Sequence, residues 1–269
     1  MSLEPTLSRL RTYWLWPTVG LAGVIAFLAF PGAWGAKAHS VLHGLCAQTP
    51  SHTFTFDGQP LPFDGRMTGI YGGALVTFAW LAIAGRLRFY GDPPRRVVAV
   101  LAACVVAMGV DGVNSLLKDL RLWHPYPPEN VLRLVTGFGT GVALAVILAW
   151  LLASSMWNVA RPTPVLRSFG DLRGVAFGGL IFGTAVLSGW GPLFVPLSGV
   201  LMASAWLTLS VLMLVVVLLL FRLDERVRQV EDLHIPGAVA AGLGLVAMLA
   251  LAGGRLWLER VLGIPLTPV

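Results

Sequence analysis

Seven long apolar runs separated by short polar segments set the pattern of this chain. They lie at Trp14–Phe30, Thr68–Ala84, Val97–Leu116, Leu132–Leu152, Val175–Trp190, Val200–Phe221 and Val239–Gly253. Runs of this length and polarity predict helices that cross about 30 Å of hydrocarbon. The fifth is among the shortest and is rich in glycine. Val200–Phe221 is the cleanest, with only small polar residues inside it. The expected architecture is all-α: a polytopic transmembrane helix bundle of about seven spans, one membrane domain over residues 1–269.

Composition supports that class. Hydrophobic residues make up 56% of the chain and charged residues only 12%, whereas a soluble domain carries about twice that charge. The mean hydropathy is +0.77. The 10 Trp and 31 Gly fit a membrane bundle, where both types are enriched. No cleavable signal pattern precedes the first run, which reads as a retained helix. The net charge of +6 is almost all arginine, since Lys37 and Lys118 are the only lysines. These charges are scattered through short loops, so anionic lipid headgroups are the expected partner and nucleic acid is not. Cys46 and Cys104 are far apart and form no disulfide framework. Cys104, in an apolar helix, reads as a small packing residue.

The arginines choose an orientation. With the N-terminus inside, the cytoplasmic segments hold Arg9, Arg11, Arg86, Arg88, Arg95, Arg96, Arg161, Arg167, Arg173, Arg222, Arg226 and Arg228, twelve basic residues against seven on the other side. The positive-inside rule then favours a cytoplasmic N-terminus and an outside C-terminus, in the cytoplasmic (inner) membrane of a prokaryote. Pro93, Pro94, Pro162, Pro164 and the run Asp224–Asp232 mark cytoplasmic connections. The loops His39–Arg66 and Lys118–Arg133 fall outside.

Those outer loops and helix ends carry the chemistry. His39, His43, Cys46, His52, Asp57, Asp64 and Arg66 are followed by Asp111, Asn114, Asn130 and Arg133. Ionisable groups at a helix end in lipid are expensive, so they predict a polar pocket. Phe54 to Gln59 reads as a short strand entering an Asp-Gly turn. Asp64 is placed to cap the second span. Arg66 can pair with Asp64, Asp111 or a phosphate. Thr68, Gly69, Gly72 and Gly73 permit close helix approach. Asp111 must be paired, protonated or facing a cavity, and a bridge to Arg66 or Arg133 is expected. Asp111 and Asp64 are the candidate acid–base residues. Arg66, Arg133, Asn130, Asn114 and Tyr71 are the candidates for holding a ligand or lipid phosphate. His39 and His43 share a helical face, and a metal at the outer face would draw on His43, Cys46 and His52. The second half reads as chemically quiet.

The order of residues from His43 to about Ala149 resembles an uncharacterised family of prokaryotic integral membrane proteins. Its members show Cys-His-Gln-x-Pro-x-Arg-Ser-Phe, then Leu-Pro-x-Cys-x-Arg-Cys-Thr-Gly-Ile-Tyr, an Asp-Gly helix end and an Asn-x-Leu-Arg-x-x-Thr-Gly helix start. Here the matches are Cys46, Gln48, Pro50 and Phe54, then Leu61, Pro62, Arg66, Thr68, Gly69, Ile70 and Tyr71. Asp111, Gly112, Asn130, Leu132, Arg133, Thr136 and Gly137 complete them. The resemblance implies a family-like part over residues 39–149 with the outer polar cluster, followed by three further spans over 173–269. Ala47 stands where the family has its histidine, and Asp64 and Met67 where it has paired cysteines. His52 and Thr53 replace its Arg-Ser. The family's cysteine–histidine set implies a metal or thiol site that this chain has largely lost, and disulfide exchange is not expected.

The sequence therefore reads as a membrane protein that is a non-catalytic subunit or binding protein in a membrane assembly. The alternative is an enzyme acting at the outer face on a lipid-linked or phosphate-bearing substrate. A transporter stands third, because the inner half of every span is nearly devoid of ionisable groups.

Overall fold

Long uninterrupted apolar stretches satisfy their own backbone only as helices in lipid, and helices dominate the computed structural model, which describes residues 15–156, 161–221 and 230–263. The helices are α1 (Leu15–Ala29), α2 (Trp34–Leu42), α3 (Gly65–Ile83), α4 (Arg95–Asp119), α5 (Asn130–Met156), α6 (Phe169–Leu187), α7 (Phe194–Leu220) and α8 (His234–Leu262). Among the described residues, six helices, α3 to α8, are long and apolar enough to cross a membrane. The first expected span, Trp14–Phe30, coincides with α1, whose described part begins at the first described residue, numbers 15 residues and rises about 22 Å. Pro31 and Gly32, the latter at φ 124°, stop the helix, and Lys37 Nζ folds back to cap it, donating to the Phe27 and Phe30 carbonyls at 3.0 and 3.1 Å. The described residues therefore hold six candidate spans and the apolar helix α1, where seven spans were expected. Arg9, Arg11, Arg222, Arg226 and Arg228, used above to choose an orientation, lie outside the described residues.

The tightest pairing is α3 against α5, and glycine makes it so. A Cβ on Gly69 or Gly73 would stand 2.3 Å from the carbonyl oxygen of Leu134 or Phe138. A Cβ on Gly137 or Gly141 would stand 2.3 or 2.0 Å from that of Arg66 or Ile70. Two glycine pairs spaced four apart thus face each other and bring the backbones into contact. Outside this seam, α7 packs on α8, α1 leans on α8, and α4 rests on α5 with most of its apolar face exposed.

Alternating helix directions sort the connections to two ends. At one end, Asp57 (φ 46°) and Gly58 (φ 80°) form the tip of a two-stranded hairpin, β1 (Thr55–Phe56) against β2 (Gln59–Pro60). Left-handed φ at both central residues is what a type I′ turn needs, and Asp-Gly supplies it as the sequence led one to expect. Phe56, Leu61 and Phe63 from this segment are buried with Leu42, Leu201 and Met248. At the other end, β3 (Phe89–Gly91) runs parallel to β4 (Arg161–Pro164). There Arg86 pairs with Asp171, and Ser168 and Asp171 close a capping box on α6.

Candidate functional site

The hairpin end carries the polar residues. Arg66 sits in the first turn of α3, whose N-cap Asp64 accepts from the Met67 N–H at 2.8 Å. Asp111 and Ser115 lie one turn apart near the end of α4, so they share a face. Asn130 and Arg133 open α5. Asp111 is 1% exposed. Its Oδ2 accepts from Arg66 Nη2 at 2.7 Å, and its Oδ1 from the Tyr126 hydroxyl at 3.3 Å. Ser115 Oγ accepts from both arginines, from Arg66 Nη2 at 3.3 Å and Arg133 Nη2 at 3.4 Å. Arg133 Nη1 donates to Asn130 Oδ1 at 2.7 Å. Asn114 holds the loop in place, its Nδ2 donating to the Tyr126 carbonyl at 2.9 Å. The Asp111 bridge therefore goes to Arg66.

Two guanidinium groups share one buried carboxylate. Arg133 is 3% exposed, and among the described residues no carboxylate oxygen lies within ion-pair distance of it. The Nε atoms of Arg66 and Arg133 are both buried without a hydrogen-bond partner. Asp111, Asp119 and Asp64 act on Arg133 alongside Arg66, the carboxylates all from beyond ion-pair distance. Burial and the nearby Arg133 hold the His52 imidazole below its ordinary value, although Asp119 stands 3.8 Å away. Burial and Asp111 raise the Tyr126 phenol, which stays a neutral donor.

A second cluster lies beside the first. Gln48 takes a left-handed backbone (φ 56°), and its amide N–H groups donate to the His39 and Pro62 carbonyls, each at 2.9 Å. That fixes Gln48 Oε1 toward His43 Nδ1 at 2.9 Å, while His43 Nε2 meets the Glu259 carboxylate at 2.9 Å. Arg255 binds Glu259 at 3.1 Å and donates to the His43 carbonyl at 2.8 Å and to the Cys46 carbonyl. This corrects the reading of a chemically quiet second half. The last helix runs past Gly253 to Leu262, and the extra turns bring Arg255 and Glu259 onto the loop that holds His43 and Cys46. An ionic pair four apart in an apolar helix was the legible signal, since lipid tolerates it only when buried in protein.

Other sequence candidates are placed elsewhere. Tyr71 stacks on Phe63 at 4.8 Å inside the core, and Ser204 Oγ donates to its carbonyl. Cys46 Sγ accepts from the Gln48 and Asp64 N–H groups, each at 3.3 Å, and burial followed by Asp64 pushes its thiol up to about 12. His43, Cys46 and His52 thus have separate partners. Among the described residues no three His, Cys, Asp or Glu side chains gather as a metal-ligand group. His39 meets the Pro60 carbonyl and His124 the Leu122 carbonyl. Tyr126, Ser115, Arg255 and Glu259 were missed, because each gains its role from a partner in another element; Gln48 was noted only as a match to the family pattern.

Fold and sequence composition together define a predicted membrane protein built of several apolar helices. Residues 46–147, the hairpin segment through α3, α4 and most of α5, match the family model described as predicted membrane protein DUF2085. An uncharacterised protein of Methanothermobacter thermautotrophicus is 32% identical over 106 residues, covering 38% of this chain and 83% of that protein. The chain belongs to this family of predicted membrane proteins, whose match ends before α6. No solved structure matches it.

Proposed function

We propose that this chain is a non-catalytic binding protein or subunit of a membrane assembly. The observation that carries the reading is that both carboxylates singled out for acid–base work are already engaged. Asp111 is buried between Arg66 and Tyr126, and Asp64 caps α3. A general acid or base must reach a substrate proton at hydrogen-bond distance, and Asp111, at 1% exposure, lacks that freedom. The polar cluster is extracytoplasmic in this reading. The opposite end carries Arg86, Arg88, Arg95, Arg96, Arg167 and Arg173 in or beside its connections, which suits a cytoplasmic face in a prokaryotic inner membrane.

The test is purification of the full chain from its native membrane in lipid nanodiscs, with composition read by mass spectrometry. Stoichiometric retention of a partner protein is the expected result for a subunit, and retention of a small ligand or lipid for a binding protein. A bare chain that turns over a lipid-linked or phosphate-bearing substrate would refute the reading in favour of an outer-face enzyme.

A further inference from the structure

Arg66 and Arg133 share one carboxylate in direct contact, that of Asp111 on Arg66, while Asp111, Asp119 and Asp64 act on Arg133 only from beyond ion-pair distance. A guanidinium that is 3% exposed and has no carboxylate in direct contact is costly to bury. Its neutral partners, Asn130 and Ser115, satisfy N–H groups but not charge.

We propose that the cluster is built to hold a phosphate-type oxyanion between Arg133 and Arg66, with Ser115 as a third contact. This rests on reading the chain as a binding protein and names its ligand class. Three observations carry it. The Nε donors of both arginines are buried and unpartnered, so the Nε–H of each guanidinium is unspent. The contacts of Ser115 to the arginines, at 3.3 and 3.4 Å, are long. Charge-assisted bonds of about 2.7–2.9 Å to an oxyanion would replace them at a gain. Ser115 Oγ accepts from both arginines, so its own proton is left to donate. Both arginines also lie in first turns, of α3 and α5, where the helix ends favour negative charge.

The arrangement is closed over the Nε atoms. The turn Pro50–His52 lies beside the cluster, held by Asn130 Nδ2 to the Ser51 carbonyl at 3.3 Å and by His52 to Asp119 at 3.8 Å. One ligand chemistry has two sources here, a phospholipid headgroup and a free phosphate.

The experiment uses the full chain. Delipidated protein in detergent is unfolded thermally in inorganic phosphate and in chloride at equal ionic strength. Phosphate is expected to raise the midpoint saturably, by about 3–6 °C. Arg133→Gln should abolish the shift yet be at least as stable as wild type in chloride, because it removes a buried charge that has no direct ion-pair partner. If the arginine is purely architectural, Arg133→Gln loses stability equally in both salts. Ser115→Ala, which removes one hydroxyl, should weaken the apparent phosphate affinity at least threefold and covers the case in which Arg133→Gln does not fold. Native mass spectrometry separates the sources. One phospholipid retained by wild type and lost in Arg133→Gln assigns a headgroup, and a phosphate shift without retained lipid assigns the free anion. No shift and no retained lipid overturns the site. A new phosphorus resonance from the retained lipid would instead overturn the non-catalytic reading and leave the oxyanion site standing.

Discussion

Replacing Gly141 by alanine tests whether the α3–α5 seam sets the geometry of the polar cluster. The added Cβ would lie 2.0 Å from the Ile70 carbonyl oxygen, where ordinary contact begins at 3.4 Å. The obstacle is backbone, so it cannot swing aside as a side chain would. The helices must part by about 1.4 Å, an overpacking that costs up to about 3 kcal/mol. Alanine returns about 1 kcal/mol of helix propensity, leaving a net loss of about 2 kcal/mol. That corresponds to a midpoint lowered by about 4–8 °C. Gly112→Ala is the control. It lies in α4 with nothing within 4 Å of the added carbon, so propensity alone acts and stability should hold or rise. The assay is thermal unfolding of both variants in one detergent, followed by circular dichroism. Equal stability of Gly141→Ala and wild type, or equal losses in the two variants, would refute the close-packed seam.

Two further predictions concern the cluster itself. Asp111→Asn keeps the side-chain shape but strands two guanidinium groups, and should cost about 3–5 kcal/mol. Adding Arg66→Met should recover part of that in a double-mutant cycle, and a neutral Asp111→Asn would show that the bridge contributes nothing. His52, held below its ordinary 6.5 by burial and Arg133, must charge as the protein is acidified. Its contribution to stability is therefore present above about pH 6.5 and is lost as pH falls through the lower folded value. Unfolding midpoints measured from about pH 7.5 down to pH 5 should fall less steeply for His52→Gln, and an unchanged slope would remove His52 from the account.

Local rules were enough for much of the architecture. Apolar runs of span length have one solution in lipid, Asp64 before an apolar run has one use as a cap, and Asp-Gly between short strands has one favoured turn. Each depends on neighbours within a few residues, so sequence alone determined them. The Arg66–Asp111 bridge was also within reach, because an isolated buried carboxylate demands a cation and few were on offer. What needed the tertiary structure was the choice among partners. Whether Asp111 pairs with Arg66 or Arg133 depends on how α4 sits against α3 and α5, the last two being held together by the Gly69, Gly73, Gly137 and Gly141 seam. The docking of Glu259 on His43 and of Arg255 on the His43 carbonyl joins positions more than 200 residues apart, and no local pattern encodes such a distance. Sequence determined which groups could not be left alone in lipid; only the packed helices decided which of them met, because ion pairing depends on ångström-scale offsets that composition does not carry.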